Sequence, residues 1–296
     1  MALLLALASP ELELLGVTTV HGNQTLDKTT ANAIRVLEFA GRADIAVAAG
    51  ADRPLIRSGA VAREVHGESG LDGPDLPAAR GRPVAAHAVD FLAERIAAAG
   101  RPVTLIPTGP LTNVALLLAR HPEAADGLER IVLMGGAIAE GNVTPAAEFN
   151  VWCDPEAAAR VFASGLDVTM IGLDVTHRAL LTPAHEAHLR AAGRIGAMVA
   201  DLRAFYARFH RSTYDWDGTP VHDAMAVAHV IDPRLVTTEH RNVAVETGSE
   251  LCRGRTVVDL WRRTDRAPNA HVGVDVDAGG FLSLLVDRIS ALDQVA

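Results

Sequence analysis

One loop concentrates groups that can hold a sugar. Met134 to Asn150 reads MGGAIAEGNVTPAAEFN, and Asn142, Glu148 and Asn150 stand within it. A carboxylate accepts from hydroxyls, and a carboxamide both gives and accepts, which suits the adjacent hydroxyls of a cis-diol. Glu148 and Asn150 are two apart, so an extended loop points them the same way. A ligand-free polar surface loop has the same composition, and the three residues alone leave both readings open. A second group, Val221-His222-Asp223, opens a helix. Asp223 is either a first-turn acid that favours the helix dipole or a hard oxygen ligand for a divalent cation. His222 can protonate a leaving group. A third group is a row of rings: Tyr206, His210 and Tyr214, spaced i, i+4, i+8 on one helix face. Such rings either pack an aromatic base or face another subunit. His66 in HGESG and Asn23 in His21-Gly22-Asn23 sit in glycine-containing loops, and Asp174 and His177 in LDVTH read as a local hydrogen-bonded turn.

These groups fall at the ends of alternating strand-like and helix-like segments. Strands are expected at Leu14 to Val20, Asp44 to Ala49, Val103 to Ile106, Arg130 to Met134 and Val168 to Leu173. Helices are expected at Thr29 to Ala40, Pro83 to Ala99, Leu111 to Arg120 and Asp154 to Ala163, the last capped by Asp154 with Pro155 at its first position. Further on, Ala191 to Tyr214 reads as one long helix with a soft point near Gly193 and Gly196, followed by a helix at His222 to Ile231. Late strands are expected at Asn242 to Val245, Thr256 to Leu260 and His271 to Val276, and a terminal helix at Phe281 to Ile289. Uninterrupted apolar strands alternating with helices imply α/β architecture, an open, mostly parallel sheet with helices on both faces. Ligands of such sheets bind beyond the carboxyl ends of the strands, where the polar clusters stand. No repeat or linker interrupts residues 1–296, so one domain is expected.

Composition narrows the class. Of the 296 residues 49% are hydrophobic, which excludes disorder as the main state. A net charge of −9 repels phosphate backbones, so nucleic acid is not the expected partner. Two distant cysteines, Cys153 and Cys252, form no CxxC pair, which fits a reducing cytoplasm. Met1 to Pro10, MALLLALASP, carries no basic flank and is too short to span a bilayer, so no membrane role is expected and it reads as a packed helix. A wholly apolar, uncapped helix is expected to follow an earlier element. A dinucleotide oxidoreductase is disfavoured, because no G-x-G-x-x-G joins a strand to a helix.

Together the segments resemble the inosine-uridine preferring nucleoside hydrolase family. The matching stretches are TTVHGNQTL, HGESG, PTGPLTN, VLMGG, EGNVTPAAEFNVWCDPEAA, GLDVTH and VHDAMAVAHVIDP, in family order. The resemblance implies a calcium-dependent enzyme that hydrolyses ribonucleosides to ribose and free base, usually as a homodimer or homotetramer. It implies that Thr108 gives its backbone carbonyl to calcium, and Asp223 its carboxylate to calcium and ribose. Asn142, Glu148 and Asn150 would hold ribose hydroxyls, with Asn23 nearby. His222 would face the leaving base as an acid, with His66, His210 and Tyr214 around that base. Members vary at the position of His210, which leaves purine or pyrimidine preference open. Members also begin with a strand and a D-x-D-P-G-x-D-D loop, which supplies further calcium ligands and the aspartate that activates water. This sequence holds no such stretch and no acid before Glu11, so the first strand is expected to be missing from the sheet. Two readings follow: a hydrolase of which these residues are the later part, or a nucleoside-binding relative without the general base.

Overall fold

In the computed structural model, which describes residues 1–295, the apolar runs become the middle of a sheet. Five strands make it, in the order β3 (Val103–Leu105), β4 (Leu128–Met134), β5 (Val168–Ile171), β11 (Ala270–Val276) and β8 (Val236–Arg241). β3, β4, β5 and β11 run parallel to their neighbours, and β8 closes the edge antiparallel to β11. Side chains alternate along β4: Val132 and Met134 join one core cluster, Ile131 and Leu133 another. The first cluster includes residues of the helices Ala2–Leu7, Asp223–Ile231 and Ala278–Val295. The second includes residues of Thr112–Arg120 and Pro155–Phe162. Helices therefore cover both faces, and β5 with the last four residues of β4, Ile131 to Met134, is buried on both sides.

β1 (Val17–Thr19) and β2 (Val47–Ala49) form a separate parallel pair. Between them and the five-stranded sheet runs a groove of about 850 Å³, lined by Val17 to Val20 on one side and Val103 to Ile106 on the other. Two short antiparallel ladders complete the strands: β6 (Leu180–Leu181) with β7 (Thr219–Pro220), and β9 (Val243–Val245) with β10 (Thr256–Val258).

Several expected elements shift. The expected strand Leu14 to Val20 shrinks to Val17–Thr19, and Val168 to Leu173 ends at Ile171 before a helical turn, Leu173–Thr176. The long helix at Ala191 to Tyr214 is two helices, Pro183–Ala192 and Arg194–Tyr214. Gly193 divides them with φ of 151°. A Cβ there would stand 2.6 Å from Asp293 Cγ. The Asp293 carboxylate accepts from the Ile195 and Gly196 amides at 2.8–3.0 Å, so it serves the free N–H groups of the second helix. The edge strand β8 was not expected at all. Its sequence, VTTEHR, has no apolar alternation, because little of it faces the core. The helix at Asp154 holds as read: Asp154 Oδ1 accepts from the Ala157 amide at 3.1 Å, with Pro155 first in the helix.

Candidate active site

Strand β4 ends at Met134, and the chain then passes Gly135-Gly136 and loops back to Glu148. This loop is built by the residues the sequence marked. Asn142 Oδ1 accepts from the Phe149 amide at 2.9 Å. Glu148 is 2% exposed and caps the short helix Phe149–Cys153, accepting from Asn150 N at 2.8 Å and Val151 N at 3.1 Å. It also accepts from Gly136 N at 2.9 Å. Burial pushes this carboxyl up to about 7, against the three amides that favour its ionised form. Glu148 and Asn150 are therefore not paired along an extended stretch. Asn150 lies inside the helix, because the carboxylate satisfies the first-turn amides and nucleates it. Asn150 Nδ2 donates to Met134 O at 3.1 Å and Thr108 O at 3.3 Å, pinning the ends of β4 and of the β3 loop together. Among the described residues, Asn142 Nδ2 and Asn150 Oδ1 make no hydrogen bond and remain for a ligand.

His222 stands at the N-cap of Asp223–Ile231. The Asp223 side chain has no hydrogen-bond partner among the described residues, and burial raises its carboxyl to about 6. It shares a cavity of about 400 Å³ with Asn23, Thr108, Asn142, Glu148 and Asn150. Asn23, Thr108, Asn150 and Asp223 also line the groove between β1 and β3, so cavity and groove meet at these four residues and Ala2. Asp223 and the Thr108 carbonyl are hard oxygen donors of the kind a divalent cation takes. They are two, where calcium takes about six to eight oxygens. The described residues contain no cluster of three or more His, Cys, Asp or Glu that could hold a metal. By themselves these residues do not complete a calcium site.

Rings line the same cavity. Tyr206, His210 and Tyr214 share one face of Arg194–Tyr214, with ring centroids 4.2 and 5.8 Å apart. His66 stacks on Tyr206 at 5.6 Å. Two rings that helical spacing missed pack against this row: His177, which lines the cavity, and Trp216, which stands behind it. Asp215 ends the helix with a positive φ of 56° and turns the chain back, so Trp216 stacks on Tyr214 at 4.6 Å. His177 meets the Trp216 edge at 5.1 Å and the His222 ring at 5.4 Å. An aromatic residue just past a ringed helix end, before Asp217-Gly218, was the available signal for Trp216. Burial lowers the His66 and His177 imidazoles to about 4, with His210 adding to it, and lowers His222 well below its usual value. These three rings are neutral at pH 7.

The LDVTH segment is more than a local turn. Asp174 accepts from Ile138 N at 2.6 Å and Ala139 N at 3.0 Å, so it fastens the site loop rather than its own backbone. Thr176 Oγ1 lies 2.7 Å from His222 Nδ1. Carboxamides, carboxylates and rings thus gather beyond the strand ends of an open α/β sheet, where ligands of such sheets bind.

The chain belongs to the inosine-uridine preferring nucleoside hydrolase family, whose model matches residues 1–283. It is 50% identical to a pyrimidine-specific ribonucleoside hydrolase RihA of Shewanella sp. (strain ANA-3), over 98% of this chain and 92% of that one. It is 49% identical to the protein of the same name from Salmonella typhimurium, over 97% and 93%. Among solved structures it resembles a purine-preferring ribonucleoside hydrolase from Gardnerella vaginalis, with a TM-score of 0.94 and 36% identity over 100% of this chain and 95% of that one. It also resembles a plant nucleoside hydrolase, with a TM-score of 0.90 and 34% identity over 98% and 94%. The protein is thus a nucleoside hydrolase by family.

Proposed function

We propose that the protein hydrolyses the N-glycosidic bond of pyrimidine ribonucleosides, releasing ribose and the free base. The observation that carries this reading is the cavity itself, lined both by free carboxamide groups and Asp223 and by the stacked ring pairs His66–Tyr206 and His210–Tyr214. Pyrimidine preference is taken from the half-identical relatives, over the purine-preferring neighbour at 36% identity. Asn142, Asn150 and Asp223 would hold the ribose hydroxyls, with Asn23 beside them. Glu148 would act as the rigid acidic floor, since its oxygens already serve three amides. His66, His210 and Tyr214 would pack the base, and His222 would meet it as it leaves. Bond cleavage at C1′ builds positive charge on the ribose, and nearby carboxylates stabilise that charge.

Members of this family are metal-dependent. We assign calcium on the oxygen-only chemistry of Asp223 and Thr108, which would hold it together with water and the ribose diol. Bound there, the ion would supply positive charge against the diol. A homodimer or homotetramer in a reducing cytoplasm completes the reading, and both cysteines are free. Among the described residues no helix is long and apolar enough to cross a membrane.

The test is base release from uridine, cytidine and inosine with calcium present, followed by chromatography. Uridine or cytidine should exceed inosine in kcat/KM by about tenfold or more, the size of one well-used pocket contact. Equal or greater turnover of inosine would overturn the pyrimidine preference. Calorimetric binding without any turnover would instead favour a nucleoside-binding protein, the reading to which the incomplete metal set points.

A further inference from the structure

The turn Leu173–Thr176 carries a residue that the reading above leaves unused. Thr176 is fully buried and does not line the cavity. Its hydroxyl has one hydrogen-bond partner among the described residues, His222 Nδ1 at 2.7 Å. A buried hydroxyl proton without an acceptor is costly. If His222 carried its proton on Nδ1, that ring would donate to Thr176 and the hydroxyl proton would have nowhere to go. If the proton sits on Nε2, Thr176 donates to the Nδ1 lone pair and both groups are satisfied. His222 itself lines the cavity, and its Nε2 has no hydrogen-bond partner among the described residues.

We infer that Thr176 is a positioning residue that locks His222 in the Nε2–H tautomer, so that a neutral imidazole presents a hydrogen-bond donor to the departing base. The inference rests on the nucleoside hydrolase reading, and it sharpens the part given to His222. When the C1′–N bond breaks, its electron pair goes to the base. A neutral Nε2–H shares its proton with that growing charge and keeps it, since surrendering it would leave an imidazolate. The proton that finally rests on the base comes from the water whose oxygen bonds to C1′, so atoms and charge balance. A histidine held in the wrong tautomer aims a lone pair where a donor is needed, and its contribution is lost. The geometry of the turn serves this purpose. Asp174, two residues earlier, ties the same turn to the site loop, and His177, one residue later, packs against the His222 ring at 5.4 Å.

Two measurements test it on the full chain. Nitrogen NMR of histidine-labelled protein should show a pyridine-type Nδ1 and a pyrrole-type Nε2 on His222, assigned with His222→Gln. Thr176→Val should erase that pattern and Thr176→Ser should keep it. A wild-type ring protonated on Nδ1 would overturn the inference whether or not the chain is active. The second measurement compares uridine with 4-nitrophenyl riboside, whose leaving group needs no hydrogen bond. Thr176→Val should lower kcat on uridine by roughly ten- to a hundredfold, the scale of one misplaced donor. KM for uridine and turnover of the nitrophenyl substrate should stay within about twofold, and Thr176→Ser should restore uridine hydrolysis. Equal loss on both substrates, or failure of Thr176→Ser to rescue, would reduce Thr176 to a packing residue and overturn the assignment. If the wild-type chain released base from neither substrate, the hydrolase reading would fall with the donor role, while the NMR result would still decide the tautomer.

Discussion

At the scale of single residues, the site combines groups whose charge the fold has suppressed. Glu148 is the clearest case. Its carboxyl is raised from an ordinary 4.5 to about 7 by burial, so the folded chain binds more protons than the unfolded one between those values. The resulting stability is fully present below pH 4.5 and is lost as pH rises through 7. The shift corresponds to no more than about 3 kcal/mol. Melting temperatures from pH 4.5 to 7.5 should show this decline in the wild type and a flatter profile in Glu148→Gln. A slope unchanged by the substitution would mean that the three amides hold Glu148 ionised throughout. Asp223 gives a second prediction. Asp223→Ala removes the acceptor that the proposed diol contact and the cation share. It should abolish calcium-dependent binding of uridine in calorimetry while the fold, read by circular dichroism, persists. Retained calcium-dependent binding would remove Asp223 from the proposed ligand set.

Individual residues were legible in the sequence to the degree that local chemistry decides them. Asp154-Pro155 announced a capped helix, and the ring spacing announced a shared face, because both signals lie within two helical turns. The geometry of Glu148 and Asn150 was misread. Spacing of two suits a strand, but a carboxylate that can reach three amides makes a helix start instead. Trp216 was missed because its place depends on the left-handed turn at Asp215.

At the scale of elements, the site is held by ties between turns rather than by long segments. The Asp174 carboxylate joins Leu173–Thr176 to the loop after β4, and losing it strands the amides of Ile138 and Ala139. Asp174→Ala should cost about 1–3 kcal/mol in denaturant melts. It should also raise KM for uridine more than it lowers kcat, since Asn142 lies on the released loop. An unchanged KM would show that the loop is held elsewhere. The break at Gly193 makes a parallel point. Gly193→Ala places a methyl 2.6 Å from Asp293 Cγ at a φ that alanine disfavours. A loss of about 1–3 kcal/mol is expected in a urea melt. No change would mean that the terminal helix shifts to accept it. The sequence showed a soft point there but not its cause, which is a carboxylate 100 residues away in the chain. The strand β8 escaped notice for a related reason: as an edge strand it owes its place to pairing with β11, not to an apolar pattern.

At the scale of the whole molecule, the mostly parallel sheet with helices on both faces was readable from apolar runs, while the order β3-β4-β5-β11-β8 was not, because it depends on which distant strands pair. Assembly belongs to this scale too. Ile56, Leu251 and Trp261 are exposed large apolar side chains, at 76%, 85% and 82%. Light scattering after size exclusion should give a mass of two or four chains rather than one. A Trp261→Glu variant that leaves that mass unchanged would place the contact away from the β9–β10 hairpin.

The meeting of groove and cavity has a mechanical consequence. Asn23 follows β1, Thr108 follows β3, Asn150 follows β4, and Asp223 begins a helix on one face. A ribose seated among them, as proposed, would be a strut between the β1–β2 pair and the five-stranded sheet. Its departure would then free the two sheets to move separately, so a stiffer groove should go with slower product release.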